Sequence, residues 1–106
     1  MPGGKTIDEY VGRVTTGTES GAVSHMVAPG GEDEPAQTPD FDEITVVLRG
    51  TVRVEHDGGS LDVAAGQAVI TRAGERVRYL APTPEGAEYV AVCLPAFAPD
   101  LAHRDE

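Results

Sequence analysis

The chain is poor in cysteine and in aromatic residues, and each shortage excludes a class of structure. It has one cysteine, no tryptophan, three tyrosines and two phenylalanines among 106 residues. A single cysteine excludes an intrachain disulfide and any metal cluster built on several thiolates. Because Cys93 is flanked by Val92 and Leu94, we expect a buried, unreactive thiol rather than a nucleophile. The core must be mostly aliphatic.

Basic residues are also scarce: 8 lysines and arginines stand against 18 aspartates and glutamates, for a formal net charge of −10. Such a charge repels nucleic acids and anionic membranes, so neither is an expected partner. No apolar run approaches the roughly 20 residues of a membrane-spanning helix. Residues 1–6 also lack the apolar stretch of a signal peptide. These features predict a soluble, cytoplasmic protein of one domain.

Glycines, in contrast, recur at regular intervals. Positions 50, 58, 66 and 74 are glycines spaced eight residues apart, and short β-branched segments lie between them. Short strands with a glycine at each corner are typical of a small antiparallel barrel or sandwich, which encloses one small-molecule cavity. Asp57-Gly58 in addition predicts a tight hairpin turn. The predicted strands are residues 22–27, 41–48, 51–55, 60–63, 68–71, 76–80 and 88–94.

The same pattern divides the chain into three parts. We expect an N-terminal arm over residues 1–20, with a candidate short strand near residues 10–14. The barrel is expected over residues 21–97. A C-terminal tail then covers residues 98–106, with a helical turn near residues 100–103.

These residues resemble the cupin superfamily. Glu43 and Gly50 have the spacing that ends the first cupin motif, and Gly66 and Gly74 have that of the second. Residues 41–44, 47–50, 64–66 and 89–96 look like stretches of the EutQ-like (ethanolamine-utilisation) cupins. The resemblance covers residues 20–97. It implies an all-β, single-domain cupin with a jelly-roll-type antiparallel β-barrel.

The metal ligands of typical cupins are missing from this chain. Those proteins hold a divalent metal through the motif glutamate and three histidines. The histidine triplet falls here on residues 37–39 or 36–38, and the third histidine position is Val77, so no histidine is present. One carboxylate with Gln37 does not make a tight transition-metal site. The resemblance therefore implies no metal and no other cofactor, with a rearranged site using His25 and Glu43 as the alternative.

Glu43 is the most informative candidate site residue. By the cupin likeness its side chain points into the barrel together with Thr45 and Val47. Burial raises the pKa of a carboxyl towards neutrality, which suits a general acid or base. The alternative is a structural carboxylate bonded to the backbone or to a cation.

Two further residues are candidates for acid/base chemistry. His25 shares one face of its strand with Val23 and Val27, and it is a proton-transfer group if that face is interior. Otherwise it is a core or edge histidine. Tyr79 shares a face with Val77, so its hydroxyl is expected in the space of the missing metal, unless it serves core packing alone.

The remaining candidates bind substrate. Gln37 is expected to point inward and hydrogen-bond a ligand, or else to face solvent. We therefore expect Glu43, His25 and Tyr79 to be catalytic, and Gln37, Thr45 and Val77 to be substrate-binding. Whether the tail triplet His103-Arg104-Asp105 closes the barrel mouth is left open.

Two classes of function remain. The first is a metal-independent lyase, isomerase or cyclase that uses a carboxylate or histidine on a small-molecule substrate. The second is a non-catalytic ligand-binding or accessory cupin, or a cupin enzyme with a rearranged metal site. The EutQ-like resemblance implies a link to acetyl phosphate or ethanolamine metabolism, although the chain has no phosphate-binding glycine loop. Because open barrels leave strand edges that a partner subunit often covers, we expect a homodimer.

Overall fold

The computed structural model describes residues 5–31 and 34–104. Every strand pairing in this part of the chain is antiparallel, which confirms the predicted all-β architecture. One short helix follows the last strand. The elements are β1 (Thr6–Val11), β2 (Ala22–Ala28), β3 (Asp42–His56), β4 (Gly59–Ala64), β5 (Ala68–Thr71), β6 (Val77–Leu80), β7 (Ala87–Leu94) and α1 (Pro99–Ala102).

The long strand β3 belongs to two sheets. Residues 42–50 pair with β7 and β5, so the first sheet has the order β1-β2-β7-β3-β5. Residues 51–56 pair with β4 and β6 to form the second sheet. The predicted corner at Gly50 is instead the point where a continuous strand passes between sheets. Gly50 has a φ of +75°, and a Cβ there would overlap the carbonyl oxygen of Gly86.

The other turn predictions agree closely with the structure. The β3–β4 hairpin has a two-residue turn, Asp57-Gly58, between the paired residues His56 and Gly59. The positive φ lies at Gly59 rather than at Gly58. The glycines at positions 66 and 74 adopt φ angles of +86° and +85°. These corners fold successive strands back on one another.

The interior between the sheets is aliphatic, as expected from the composition. The main buried cluster contains Val47, Val52, Val54, Val63 and Val77, together with two tyrosines and three alanines. A second cluster includes Cys93, whose burial raises the pKa of its thiol. The unreactive thiol expected at this position is consistent with that environment. Among the described residues, no helix is long and apolar enough to span a membrane.

The two ends of the described chain differ from the prediction. The N-terminal strand β1 begins at Thr6, four residues before the candidate strand at 10–14, and it pairs along β2. Helix α1 begins one residue earlier than the expected helical turn. Ala96 and Ala102 are fully buried in the second cluster, so the C-terminal segment packs onto the barrel.

Candidate functional site

A cavity of about 340 Å³ lies on the inner side of the first sheet. Its walls come from the N-terminal residues around β1, from β2, β3, β6 and β7, and from the C-terminal segment. Ionisable and polar side chains share this lining with Ile7, Met26, Phe41 and Phe97. The cavity thus combines apolar walls with a small number of polar groups, which is the usual composition of a small-molecule site.

Glu43 lies in the wall of this cavity because strand alternation on β3 turns positions 43, 45 and 47 inward. Glu43 is 9% exposed to solvent. Burial raises the pKa of the Glu43 carboxyl to about 7, and the charge of Glu34 adds to the effect, while Lys5 and Arg104 oppose it. No hydrogen bond joins this carboxyl to any residue in the described ranges. Glu43 is a buried acid that is open to a ligand.

Lys5 supplies a buried positive charge at the same cavity. Its Nζ lies 2.6 Å from Glu34 Oε1 and 5.5 Å from the centre of the Tyr89 ring. Burial alone would lower the pKa of Lys5, but Tyr89 and Glu34 outweigh it and raise that pKa. The ammonium group therefore stays protonated. Sequence reasoning missed Lys5 and Glu34, because nothing in their local pattern shows that the two segments meet.

Tyr79 lines the same cavity as Glu43. Its hydroxyl lies 2.8 Å from Thr71 Oγ1. Burial and the charge of Glu43 raise the pKa of Tyr79, so the hydroxyl keeps its proton and can donate a hydrogen bond. Thr45 is 1% exposed, and its hydroxyl has no hydrogen-bond partner among the described residues. Thr45 is not among the residues that line the cavity, so the expectation that it contacts a ligand there is wrong.

The C-terminal segment, residues 96–104, covers one side of the cavity. The amide of Asp40 donates to the carbonyl of Leu101 at 2.8 Å, and His103 Nε2 lies 2.7 Å from Asp40 Oδ2. The backbone of Gln37 forms an isolated antiparallel β-bridge with the backbone of Arg104, and both residues line the cavity. The tail therefore contributes to the site through Arg104, while Asp105 lies outside the described residues. Gln37 lines the cavity, and its predicted role in binding substrate stays a prediction.

The expectation for His25 is wrong in its placement. Because Ser24 and Met26 line the cavity, the alternation of β2 turns His25 to the outer face of the sheet. There its Nε2 lies 2.7 Å from Glu88 Oε2, and its ring stacks on Tyr10. His25 therefore does not meet Glu43, and the rearranged metal site that would use both residues does not form.

The expectation that Val77 binds substrate in this cavity is also wrong. It is 2% exposed, packs in the main buried cluster and is absent from the lining of the Glu43 cavity. Its backbone pairs with that of Gln37. Val77 thus supports the site through Gln37 instead of contacting a ligand in this cavity. A more open depression of about 470 Å³ includes Val77 but lies along the β3–β4 hairpin, where Arg78 and Glu55 are ion-paired.

The donor set at the cavity does not fit a tightly held transition metal. The position that the metal would take offers the carboxyl of Glu43 with the side chains of Gln37 and Tyr79, and it has no imidazole. Within residues 5–31 and 34–104, no group of three or more histidine, cysteine, aspartate or glutamate side chains is arranged to hold a metal ion. We assign no step to a metal.

Known proteins resemble this chain in sequence or in fold. The chain is 42% identical over 102 residues to the endoribonuclease YbeY of Myxococcus xanthus, and it spans 35% of that protein's length. The putative ethanolamine utilization protein EutQ from Salmonella typhimurium has a TM-score of 0.72 and 24% identity, over 88% of this chain and 71% of that one. An oxalate decarboxylase variant from Bacillus subtilis has a TM-score of 0.84 and 20% identity, over 99% of this chain and 29% of that one.

These two structures show the fold, since their sequence identity to the chain is low. The decisive match is to the cupin domain family, which covers residues 23–93. That match includes both predicted motifs, from Glu43 to Gly74. The chain belongs to the cupin domain family.

Proposed function

We propose that this cupin binds a small polar molecule in the cavity and that Glu43 transfers a proton to or from it. The reaction class that this supports is a lyase, isomerase or cyclase. One observation carries the proposal: the Glu43 carboxyl is buried, faces the cavity, and has no hydrogen bond to a described residue. A carboxyl in that setting is available to a bound ligand.

The acidity of Glu43 matches this role. With a pKa of about 7, the carboxyl is present in both protonation states at neutral pH. A general acid or base works best when its pKa is close to the operating pH. Tyr79, whose pKa is raised, keeps its proton and can hydrogen-bond a ligand without exchanging a proton with it. Glu43 is therefore the group that exchanges protons.

The positive charges around Glu43 favour a substrate that carries or develops negative charge. Lys5 and Arg104 both act on the Glu43 carboxyl electrostatically and both line the cavity. When Glu43 takes a proton from a carbon beside a carbonyl, the electron pair moves to the carbonyl oxygen. A fixed cation stabilises that oxygen without reorganisation. Tyr79 and Gln37 would orient the substrate.

An RNA substrate is not proposed. The endoribonuclease name belongs to the Myxococcus xanthus relative, and this chain spans only 35% of that protein's length. A net charge of −10 opposes the approach of a polyanion. A small molecule is a better partner for a cavity of about 340 Å³.

A non-catalytic binding protein is the second candidate. The outward position of His25 favours it, because the cavity then offers Glu43 without an imidazole to act as the partner acid or base. Many acid/base enzymes use a pair of groups, one as acid and one as base. A binder would hold ligands through Lys5 and Arg104 without changing them.

Hydrogen exchange separates these two functions without knowledge of the product. The protein is incubated in D₂O with a panel of small hydroxy- and oxo-carboxylic acids, and deuterium entry at carbon is followed by ¹H NMR. We expect catalysed exchange with at least one compound, and a loss of about a hundredfold or more in Glu43→Gln. Glu9→Gln is the matched control, because Glu9 lines the same cavity but is hydrogen-bonded to Thr15.

Each result has a defined meaning. Exchange that survives in Glu43→Gln would remove Glu43 from the mechanism. Binding of a panel compound without exchange, seen as ligand-dependent shifts in the protein spectrum, would support the binding protein. Equal losses in Glu43→Gln and Glu9→Gln would indicate that both variants act on the cavity's charge rather than on proton transfer.

A further inference from the structure

Two pairs of apolar side chains line the cavity beside its charged groups. Ile7 and Met26 are register partners on β1 and β2, so their side chains lie next to each other on the inner face of the first sheet. Phe41 and Phe97 meet edge to face, with their ring centres 5.9 Å apart. Because Phe97 belongs to the C-terminal segment, the two apolar pairs stand in different walls. Hydrocarbon on two walls can remove an apolar part of a ligand from water.

The two cations that act on Glu43 differ in what they already bind. Lys5 Nζ lies 2.6 Å from Glu34 Oε1, so the buried ammonium has its counter-ion. Arg104 has neither an ion pair nor a side-chain hydrogen bond with a residue in the described ranges. Its backbone is held at the cavity by the bridge to Gln37, and the residue is exposed. Arg104 is therefore the cation that a ligand can engage without breaking an existing ion pair.

The charges at the cavity favour a ligand with a single negative charge. A guanidinium binds a carboxylate with two parallel hydrogen bonds, which suits Arg104. When Glu43 holds its proton, Lys5 balances Glu34 and one ligand carboxylate balances Arg104. A second carboxylate, or the second charge of a phosphate, would be placed among apolar side chains without a partner. Burying such a charge is unfavourable.

The size of the cavity also bears on the ligand. Its volume of about 340 Å³ equals that of roughly eleven water molecules at about 30 Å³ each. A ligand of about ten non-hydrogen atoms therefore fills it. A carboxylate is a small part of such a molecule, so most of the ligand is available as hydrocarbon for contact with the two apolar pairs.

We propose that the ligand of this cavity is an amphipathic monocarboxylate, whose carboxylate binds Arg104 beside Glu43 and whose hydrocarbon part lies between the two apolar pairs. This ligand class rests on the proposed function, because the same cavity is its site. The orientation places the carbon atoms next to the carboxylate nearest Glu43. Those are the carbon atoms from which a general base removes a proton when a carbonyl group is adjacent.

Four compounds test the ligand class on the wild-type protein, with binding followed by ¹H–¹⁵N NMR. Hydrocinnamate carries a phenyl ring and one carboxylate. Hydrocinnamyl alcohol has the same shape without the charge, propanoate has the charge without the ring, and adipate has a carboxylate at each end. We expect hydrocinnamate to bind at least about tenfold more tightly than each of the other three compounds.

Arg104→Gln tests the anchor of the carboxylate. It should weaken the binding of hydrocinnamate about tenfold or more and leave that of hydrocinnamyl alcohol unchanged. Arg13→Gln is the matched control, because Arg13 lines the same cavity and carries the same charge, but its Nε donates to the carbonyl of Ala96 at 3.3 Å. This control should bind hydrocinnamate like wild type.

Ile7→Asn tests the apolar contact. Ile7 and Val11 both lie on β1 and are 39% and 38% exposed, but only Ile7 lines the cavity. Ile7→Asn should therefore weaken the binding of hydrocinnamate several-fold, whereas the control Val11→Asn should not. An equal loss in both variants would show that β1 as a whole is disturbed and would overturn the apolar contact at Ile7.

Other outcomes separate the ligand class from proton transfer. Equal affinities for hydrocinnamate and its alcohol, or unchanged affinity in Arg104→Gln, overturn the anchor. Tighter binding of propanoate or adipate overturns the amphipathic class. A wild type that exchanges deuterium into a hydroxy- or oxo-acid but does not bind hydrocinnamate also overturns it, while proton transfer stands. Binding of hydrocinnamate with the expected preferences, but no exchange with any compound, supports the ligand class and contradicts proton transfer. The comparison of the four compounds needs no variant, so it decides even if a substitution impairs folding.

Discussion

At the scale of single residues, burial of Glu43 links the stability of the protein to the chemistry of its cavity. Transferring an ionised carboxyl into an apolar site is unfavourable, so the native state retains the proton of Glu43 at pH values where an exposed glutamate has lost it. The ammonium of Lys5 and the guanidinium of Arg104 reduce this effect but do not cancel it. Ionised Glu43 therefore destabilises the fold.

This predicts that Glu43→Gln raises the stability of the protein and that the size of the increase depends on pH. The unfolded chain loses its Glu43 proton near pH 4.5 and the native protein near pH 7, so the stability of wild type falls across that window. Glutamine has no charge to bury. Urea unfolding should show the variant roughly 1 to 3 kcal/mol more stable than wild type at pH 8, with the gain shrinking towards pH 5.

The control for this gain is Glu9→Gln. The Glu9 carboxylate accepts hydrogen bonds from Thr15, which lower its pKa. Removing that carboxylate should bring no gain in stability at pH 8. A destabilised Glu43→Gln at pH 8 would mean that the native carboxylate is well solvated or paired.

Two buried threonines allow a matched test of hydrogen bonding. The Thr45 hydroxyl has no partner among the described residues, whereas Thr71 Oγ1 lies 2.8 Å from the Tyr79 hydroxyl. Thr45→Val should therefore stabilise the protein by about 1 kcal/mol, and Thr71→Val should destabilise it by about 1 kcal/mol. Denaturant midpoints at one pH measure both. Destabilisation by Thr45→Val would show that its hydroxyl is bonded, for example to a buried water.

At the scale of elements, Gly50 is the position at which β3 passes from one sheet to the other. Its φ of +75° disfavours any residue with a Cβ, and the Gly86 carbonyl occupies the space that this Cβ would need. Gly66 shares the positive φ but has open space around it. Thus Gly50→Ala suffers both strain and overlap, while Gly66→Ala suffers strain alone.

We expect Gly66→Ala to cost about 1 kcal/mol and Gly50→Ala to cost about 3 kcal/mol or more. Thermal unfolding of the two variants beside wild type provides the comparison. Equal losses would show that the crossing of the chain at Gly86 is loose enough to accommodate a methyl group.

The elements between these glycines could be predicted from sequence because turns and strands are local. Strand β5 matches its predicted limits, Ala68–Thr71, since turn glycines at 66 and 74 bracket it. The limits of strand β1 could not be predicted as accurately. Its inward side carries Glu9 beside Ile7, and Lys5, one residue before the strand, also lines the cavity, so the usual contrast between an apolar inside and a polar outside is lost.

The same limit explains the misplacement of His25. Alternation correctly groups Val23, His25 and Val27 on one face, but it cannot say which face is interior when both are apolar. The placement of Glu43, in contrast, followed from motif spacing, and Glu43 lies inside residues 23–93, which the family match covers. The contacts of Lys5 with Glu34, and of Arg104 with Gln37, are long-range and depend on the folded chain.

At the scale of the whole molecule, the net charge of −10 opposes the homodimer that the sequence predicts, whereas the exposed aliphatic side chains of Val46, Ile70 and Leu94 on the first sheet favour association. Repulsion between two acidic chains weakens with added salt, whereas packing of aliphatic side chains does not depend on ionic strength in this way. We therefore predict that the dissociation constant of this homodimer falls as NaCl rises from about 0.02 M to about 0.5 M. Sedimentation equilibrium at both concentrations measures this. A dimer that salt dissociates would indicate an interface held by ion pairs.

The most direct measurement for the account as a whole is a ¹³C NMR titration of the Glu43 side-chain carboxyl, assigned by comparison with Glu43→Gln. We predict an inflection near pH 7 for this carboxyl. An inflection near 4.5, the ordinary value, would contradict a buried, unpaired acid in the cavity and would remove the basis for proton transfer at this site.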